Sequence, residues 1–200
     1  MSLLKPQLEQ EPPEFAAVQR LWAQPVFKAE EWSSPALNEL LTELRATHVN
    51  GGAFFARFSF CDDPVIRFFI SRNNFQGIGF FERFLTSSAL RETLPALKPP
   101  ASLDSTKWDW WSPYLLGGDW ARILMVGGAY KKYQKGGSSA KHLGERVCAD
   151  LFGDRFEEVE VFRSTEPWSD WFFDVAWDLT WIGVDKRHLK IWMLCLTDTD

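Results

Sequence analysis

The chain has 200 residues, 46% of them hydrophobic and 24% charged, which suits one globular domain better than two small ones. Its formal net charge of −5 argues against nucleic acid or an anionic membrane as a general partner, and no apolar run reaches the ~18 residues of a membrane span. Eleven Trp and seventeen Phe stand against three Tyr, and each buried ring removes about 150–250 Å² from water, so most of them belong to a substantial core.

Residues 1–13 are polar and proline-bearing and read as a flexible arm with no secretion signal; 14–200 read as one domain, with a division into two lobes open near 98–106. Phe15, Val18, Leu21 and Trp22 lie at helical spacing. Ser34-Pro35 starts a second helix, with Leu37, Leu40, Leu41 and Leu44 as its stripe and Asn50-Gly51-Gly52 as its stop. AFFARFSF (53–60) and VIRFFIS (65–71), joined by Cys61-Asp62-Asp63-Pro64, predict a hairpin. Residues 75–84 fit a strand or a helix start equally. A short helix opens at Ser87 or Ser88 and ends by Pro99-Pro100.

In the second half, ARILMV (121–126) reads as an apolar strand. A helix capped by Ser138 or Ser139 runs to Leu151, with Gly153 after it, and 156–162 reads as a strand. From Trp171 to Trp181 apolar residues fall at odd positions, so period two predicts a strand with its tryptophans inward and Asp174, Asp178 and Thr180 outward. Asp185-Lys186-Arg187-His188 turns the chain, and 189–196 returns as the antiparallel partner. The fold class is therefore α+β: an antiparallel sheet with helices packed on it and a C-terminal β-hairpin.

Charge is uneven. Between 150 and 185 ten acids face two arginines, a local charge of −8, whereas 120–146 carries six bases and one acid. Glu158, Glu160, Asp174 and Asp178 on neighbouring strands would form an acidic sheet face. That face predicts a docking surface for a basic partner, using Glu157, Glu158, Glu160, Asp170, Asp174 and Asp178, with Trp168 as an exposed anchor. A solvated face that aids solubility and protects strand edges explains the same acids equally well.

Catalytic signals are weak. His48, His142 and His188 are isolated, no Cys or His pair has ligand spacing, and no metal or cofactor is expected. Cys61, Cys148 and Cys195 form no disulfide framework and suit buried free thiols in a reducing, cytoplasmic setting. Lys131, Lys132, Lys135 and Lys141, around a glycine-bearing loop before a helix, are candidates for anion binding, but the phosphate-loop order is missing. Asp174 with Asp178, or Glu158 with Glu160, could serve as an acid/base pair on a glycan in a Trp-rich cleft.

The stretch WDLTWIGVDKRHLKIWMLCLTDTD resembles the closing hairpin of small acidic bacterial proteins that include immunity proteins of polymorphic toxin systems. The resemblance covers about the last thirty residues and carries over no residue role. It implies a cytosolic, non-enzymatic protein that binds and blocks a cognate toxin. The expected function is thus neutralisation of a basic toxin by the acidic face, with a carboxylate-dependent glycan hydrolase as the alternative.

Overall fold

The computed structural model describes residues 10–104 and 106–200. Most of the expected arm, 1–9, lies outside them, as does residue 105 in the possible lobe boundary. The elements run α1 (Phe15–Trp22), β1 (Phe27–Glu30), α2 (Pro35–Thr47), β2 (Gly52–Phe60), α3 (Pro64–Ser71), α4 (Phe80–Leu85), α5 (Ser88–Thr93). They continue with β3 (Asp109–Trp111), α6 (Pro113–Val126), α7 (Gly137–Phe152), β4 (Val159–Ser164), β5 (Leu179–Asp185) and β6 (Lys190–Thr197).

One six-stranded sheet results, in the order β1-β2-β6-β5-β4-β3. Every neighbouring pair is antiparallel. The α+β class and the C-terminal hairpin stand as expected, with Asp185 opposite Lys190 at the turn. β2 from the first half pairs with β6 from the second, so a single sheet spans both sides of the 98–106 stretch.

Helices cover both faces of this sheet. Phe58, Ile182, Val184, Ile191, Met193 and Cys195 pack with α1, α3, α4, α5 and the loop bearing Trp168 and Phe172. Ala53, Val161, Trp181, Trp192, Leu194 and Leu196 pack on the other side with α2, α6 and α7. All of β5 and nearly all of β6 is consequently buried. Alternation of wet and dry faces, the pattern of a half-exposed antiparallel sheet, is absent from these central strands.

Local signals explain the elements that were legible and those that were not. Ser34 caps α2, its Oγ accepting from Leu37 N–H at 3.1 Å, with Pro35 in the first turn. The expected strand at 65–71 is instead α3: Asp63 caps it, accepting from Val65 N–H at 2.8 Å, and Pro64 opens it. That cap outweighs the β-branched and aromatic composition of the run. The open segment 75–84 ends as α4, entered through Gly79 at φ +62°. The expected strand at 121–126 is the last part of the longer helix α6. Helix α7 begins at Gly137 after Gly136, with no side-chain cap from Ser138 or Ser139.

The largest correction concerns 171–181. Only Leu179–Trp181 belongs to a strand; residues 165–178 form an irregular loop. Its hub is Asp178, fully buried, whose Oδ2 accepts from the backbone N–H groups of Phe173 and Val175 at 3.2 and 3.0 Å. Oδ1 accepts from the Thr197 hydroxyl. Such side-chain to backbone bonds compete with a sheet ladder, so the aspartate that seemed to mark a strand's wet face closes a loop instead.

Candidate functional site

The predicted acidic face is not assembled. Glu158 is 9% exposed and ion-paired with Arg187. Glu160 is 8% exposed; one oxygen takes Lys186 Nζ at 2.9 Å and the other the Trp110 indole N–H at 2.7 Å. Asp178 is spent within its loop, and Thr180, also expected outward, is buried. Asp185 is paired with Arg155 at 2.8 Å and His188 at 2.9 Å. Burial alone would raise the Asp185 carboxyl; hydrogen bonds from His188 and Arg155 outweigh it and hold the group below the usual carboxylate range.

Two of these cations, Lys186 and Arg187, come from the β5–β6 turn directly after the acidic segment, and Arg155 lies between α7 and β4. A buried carboxylate without such a partner would cost several kcal/mol, so these pairs are part of the fold rather than a free charged surface. Trp168 is also misplaced by the expectation: it is 3% exposed and packs on Phe172 at 5.5 Å. Its indole donates to the Thr180 hydroxyl at 2.9 Å. Of the proposed contact set, Glu157, Asp170 and Asp174 are exposed. Asp170 and Asp174 share a small cleft with Lys98, apart from the Glu158 and Glu160 ion pairs. Neither carboxylate pair considered for hydrolysis offers two free acids.

The lysines are likewise divided. Lys131 and Lys132 are exposed on the α6–α7 loop, Lys135 is held by Glu43 at 2.6 Å, and Lys141 lies on α7. Cys148 and Cys195 are buried free thiols pushed up to about 12 by desolvation, while the half-buried Cys61 is raised less far. A thiol this hard to ionise is a poor nucleophile. Among the described residues no group of three His, Cys, Asp or Glu is placed to hold a metal ion. No helix among them is long and apolar enough to cross a membrane.

What the fold does gather is an aromatic edge. β3 is the outermost strand beside β4, and Trp110 on it is 59% exposed. After Ser112, Pro113 opens α6 and places Tyr114 and Leu115, 65% and 61% exposed, in its first turn. The Tyr114 ring stacks on Phe156, centroids 4.8 Å apart and planes 11° from parallel. Beside them a groove of about 520 Å³ runs between the start of α6 and Lys141, Glu145 and Cys148 of α7. Glu157, next to Phe156, and Asp109, next to Trp110, are exposed acids flanking the same region in sequence.

The stretch KWDWWSPYLLGGDW, residues 107–120, carries this edge, and sequence patterning assigns it no element. Its tryptophans have different fates: Trp108 is buried on Phe81 with rings 4.8 Å apart, Trp111 is half-buried under Arg163, and Trp110 is open. The available signal was Ser112-Pro113 as a helix start, which would have set Tyr114 and Leu115 in a first turn. No protein-family model and no curated protein matches this chain.

Proposed function

We propose that this chain is a non-enzymatic protein-binding domain, a bacterial cytosolic immunity protein of the kind its C-terminal hairpin resembles, and that it docks its cognate toxin at the β3–α6 edge. The observation that carries the reading is the exposure of Trp110, Tyr114 and Leu115 within six residues of chain. Large apolar side chains held in water together mark interaction surfaces on soluble proteins. Trp and Tyr are also the residue types that most often dominate binding energy. The indole of Trp110 is fixed by Glu160, and Tyr114 is fixed by its stack on Phe156, so little side-chain freedom is lost when a partner covers them.

The acids keep a smaller part in this reading. Exposed Asp109, Glu145 and Glu157 favour a basic partner and speed its approach, while the aromatic rings supply most of the affinity. The test is co-expression of this chain with a candidate toxin encoded beside its gene, read as cell growth. Wild-type chain restores growth, and the double variant Trp110→Ser with Tyr114→Ser, folded by circular dichroism, binds at least 30-fold more weakly and fails to protect. Protection by that folded double variant would reject the surface; absence of protection by the wild-type chain would reject the immunity reading.

A further inference from the structure

Helix α1 carries the most exposed large apolar side chain among the described residues, Phe15 at 75%. Of its eight residues only Leu21 is fully buried. Phe15, Val18, Gln19 and Trp22 lie along one side of the helix and line a groove of about 660 Å³. The facing wall is made by Phe69 of α3, Ile78, and Arg83 of α4. One exposed phenylalanine is ordinary on a protein surface. This one stands at the end of a largely apolar groove, a knob beside a hole on the same face. The two ends of the groove also differ in charge. Glu14 precedes Phe15 as the N-cap residue and makes no side-chain cap bond. Arg83 lies at the other end, its guanidinium carbon 5.9 Å from the Trp22 ring centroid. Both are exposed, and neither has an ion pair among the described residues.

We propose that this groove is the two-fold interface of a homodimer, in which Phe15 of each copy enters the groove of the other and the two α1 helices run antiparallel. In such an isologous contact one patch is its own complement, and every pairing occurs twice. An axis near Val18 and Gln19 brings the Phe15 end of one α1 onto the Trp22 end of the other, about 10 Å along the helix. The same rotation sets Glu14 of each copy beside Arg83 of its mate. One operation therefore satisfies both shape and sign, and the chain supplies both halves of each pairing. A parallel arrangement would set Glu14 against Glu14 and leave both grooves empty. The contact is small beside the roughly 1,200 Å² that a stable complex buries, so the dimer is reversible and concentration-dependent. Trp22 packs on Phe27 of β1 at 6.0 Å, at the sheet edge opposite β3. Dimerisation therefore leaves the β3–α6 edge open, and this inference stands apart from the toxin-binding reading.

The experiment is sedimentation velocity on the full chain from about 5 to 500 μM, where a monomer–dimer shift is expected. Phe15→Ser, shown folded by circular dichroism, weakens the dimer about tenfold or more, as loss of a central aromatic anchor should. Glu14→Arg and Arg83→Glu each weaken it about threefold to tenfold, and added salt weakens the wild type. An equimolar mixture of those two variants dimerises more tightly than either alone, because both cross-axis pairs are again of opposite sign. A chain carrying both changes recovers wild-type dimerisation for the same reason. A merely structural role for these charges would produce neither rescue. A wild-type chain monomeric throughout the range, a dimer indifferent to Phe15→Ser, or a mixture no tighter than its components would overturn the proposal. So would a monomeric wild type alongside a dimeric Leu3→Ser/Leu4→Ser variant, which would assign the groove to the first residues of the same chain.

Discussion

Asp174 and Asp178 stand four residues apart in opposite surroundings. Asp178 has no exposed surface and accepts from two backbone N–H groups and the Thr197 hydroxyl. Asp174 is exposed, with its backbone at φ 59°. The pair therefore belongs to no common charged face, and its two members act on different links of the chain from sequence to function. Asp178 holds the loop that carries Trp168 and Phe172 onto the core; Asp174 occupies a left-handed turn position that Asp and Asn tolerate well.

Substituting both in the same way separates these roles. Asp178→Asn leaves an amide oxygen to accept from both backbone N–H groups and turns its NH2 toward the Thr197 hydroxyl, so the buried hydrogen bonds are weakened rather than lost and the expected cost is about 1–3 kcal/mol. Asp174→Asn is expected to stay within about 0.5 kcal/mol of wild type. Urea unfolding followed by tryptophan fluorescence checks both, and similar losses at the two positions would contradict the loop-hub assignment.

The contact between α6 and α7 gives a second prediction. A Cβ on Gly144 would lie 2.1 Å from the Gly117 carbonyl oxygen, a backbone atom that cannot move aside alone. Gly144→Ala is expected to lose about 3 kcal/mol or more by forcing the helices apart. Gly118→Ala, opening into empty space in the same helix, is expected to gain about 0.5–1 kcal/mol from helix propensity. Thermal denaturation of the two variants should move in opposite directions.

Acid should destabilise the protein in two stages. Burial lowers the His48 pKa, against the raising effects of the Leu44 carbonyl and the Asp198 charge. Below the unfolded value of about 6.5 the unfolded chain binds a proton that the folded chain refuses, so stability falls as pH drops through that point. Asp185, with its folded pKa depressed, contributes stability present above its unfolded value of about 3.9 and lost as pH falls further through the folded one. Urea midpoints from pH 7.5 to 3 would resolve both limbs. His48→Phe should flatten the upper one and Asp185→Asn the lower; a midpoint independent of pH between 7 and 5 would contradict the first assignment.

Elements governed by neighbouring residues were legible. Ser34-Pro35 with its leucine stripe yielded α2, and the Asp185–His188 turn with the apolar return 189–196 yielded the closing hairpin, although its first strand starts at Leu179 and not at Trp171. Misreadings arose where two local signals conflicted. Asp63-Pro64 began a helix inside a run of strand-like composition, and Gly117-Gly118 hid the continuity of α6 from Pro113 to Val126. Gly117 is fitted to the backbone of α7 packed on that helix, a fact outside any short window.

The site was less legible than the fold, for a related reason. A deficit of cations between 150 and 185 looked like a negative surface, yet Lys186, Arg187 and Arg155 bring their charges onto Glu160, Glu158 and Asp185 once the strands pair. Composition determined that this chain would bury many rings in a core, because transfer of apolar area from water depends little on order along the chain. Which indoles went under and which stayed in water was decided only by tertiary packing. Helices cover both faces of the central strands, burying Trp168 and Trp181, while β3 at the rim leaves Trp110 open. Burial is set by neighbours in space, and those are distant in sequence.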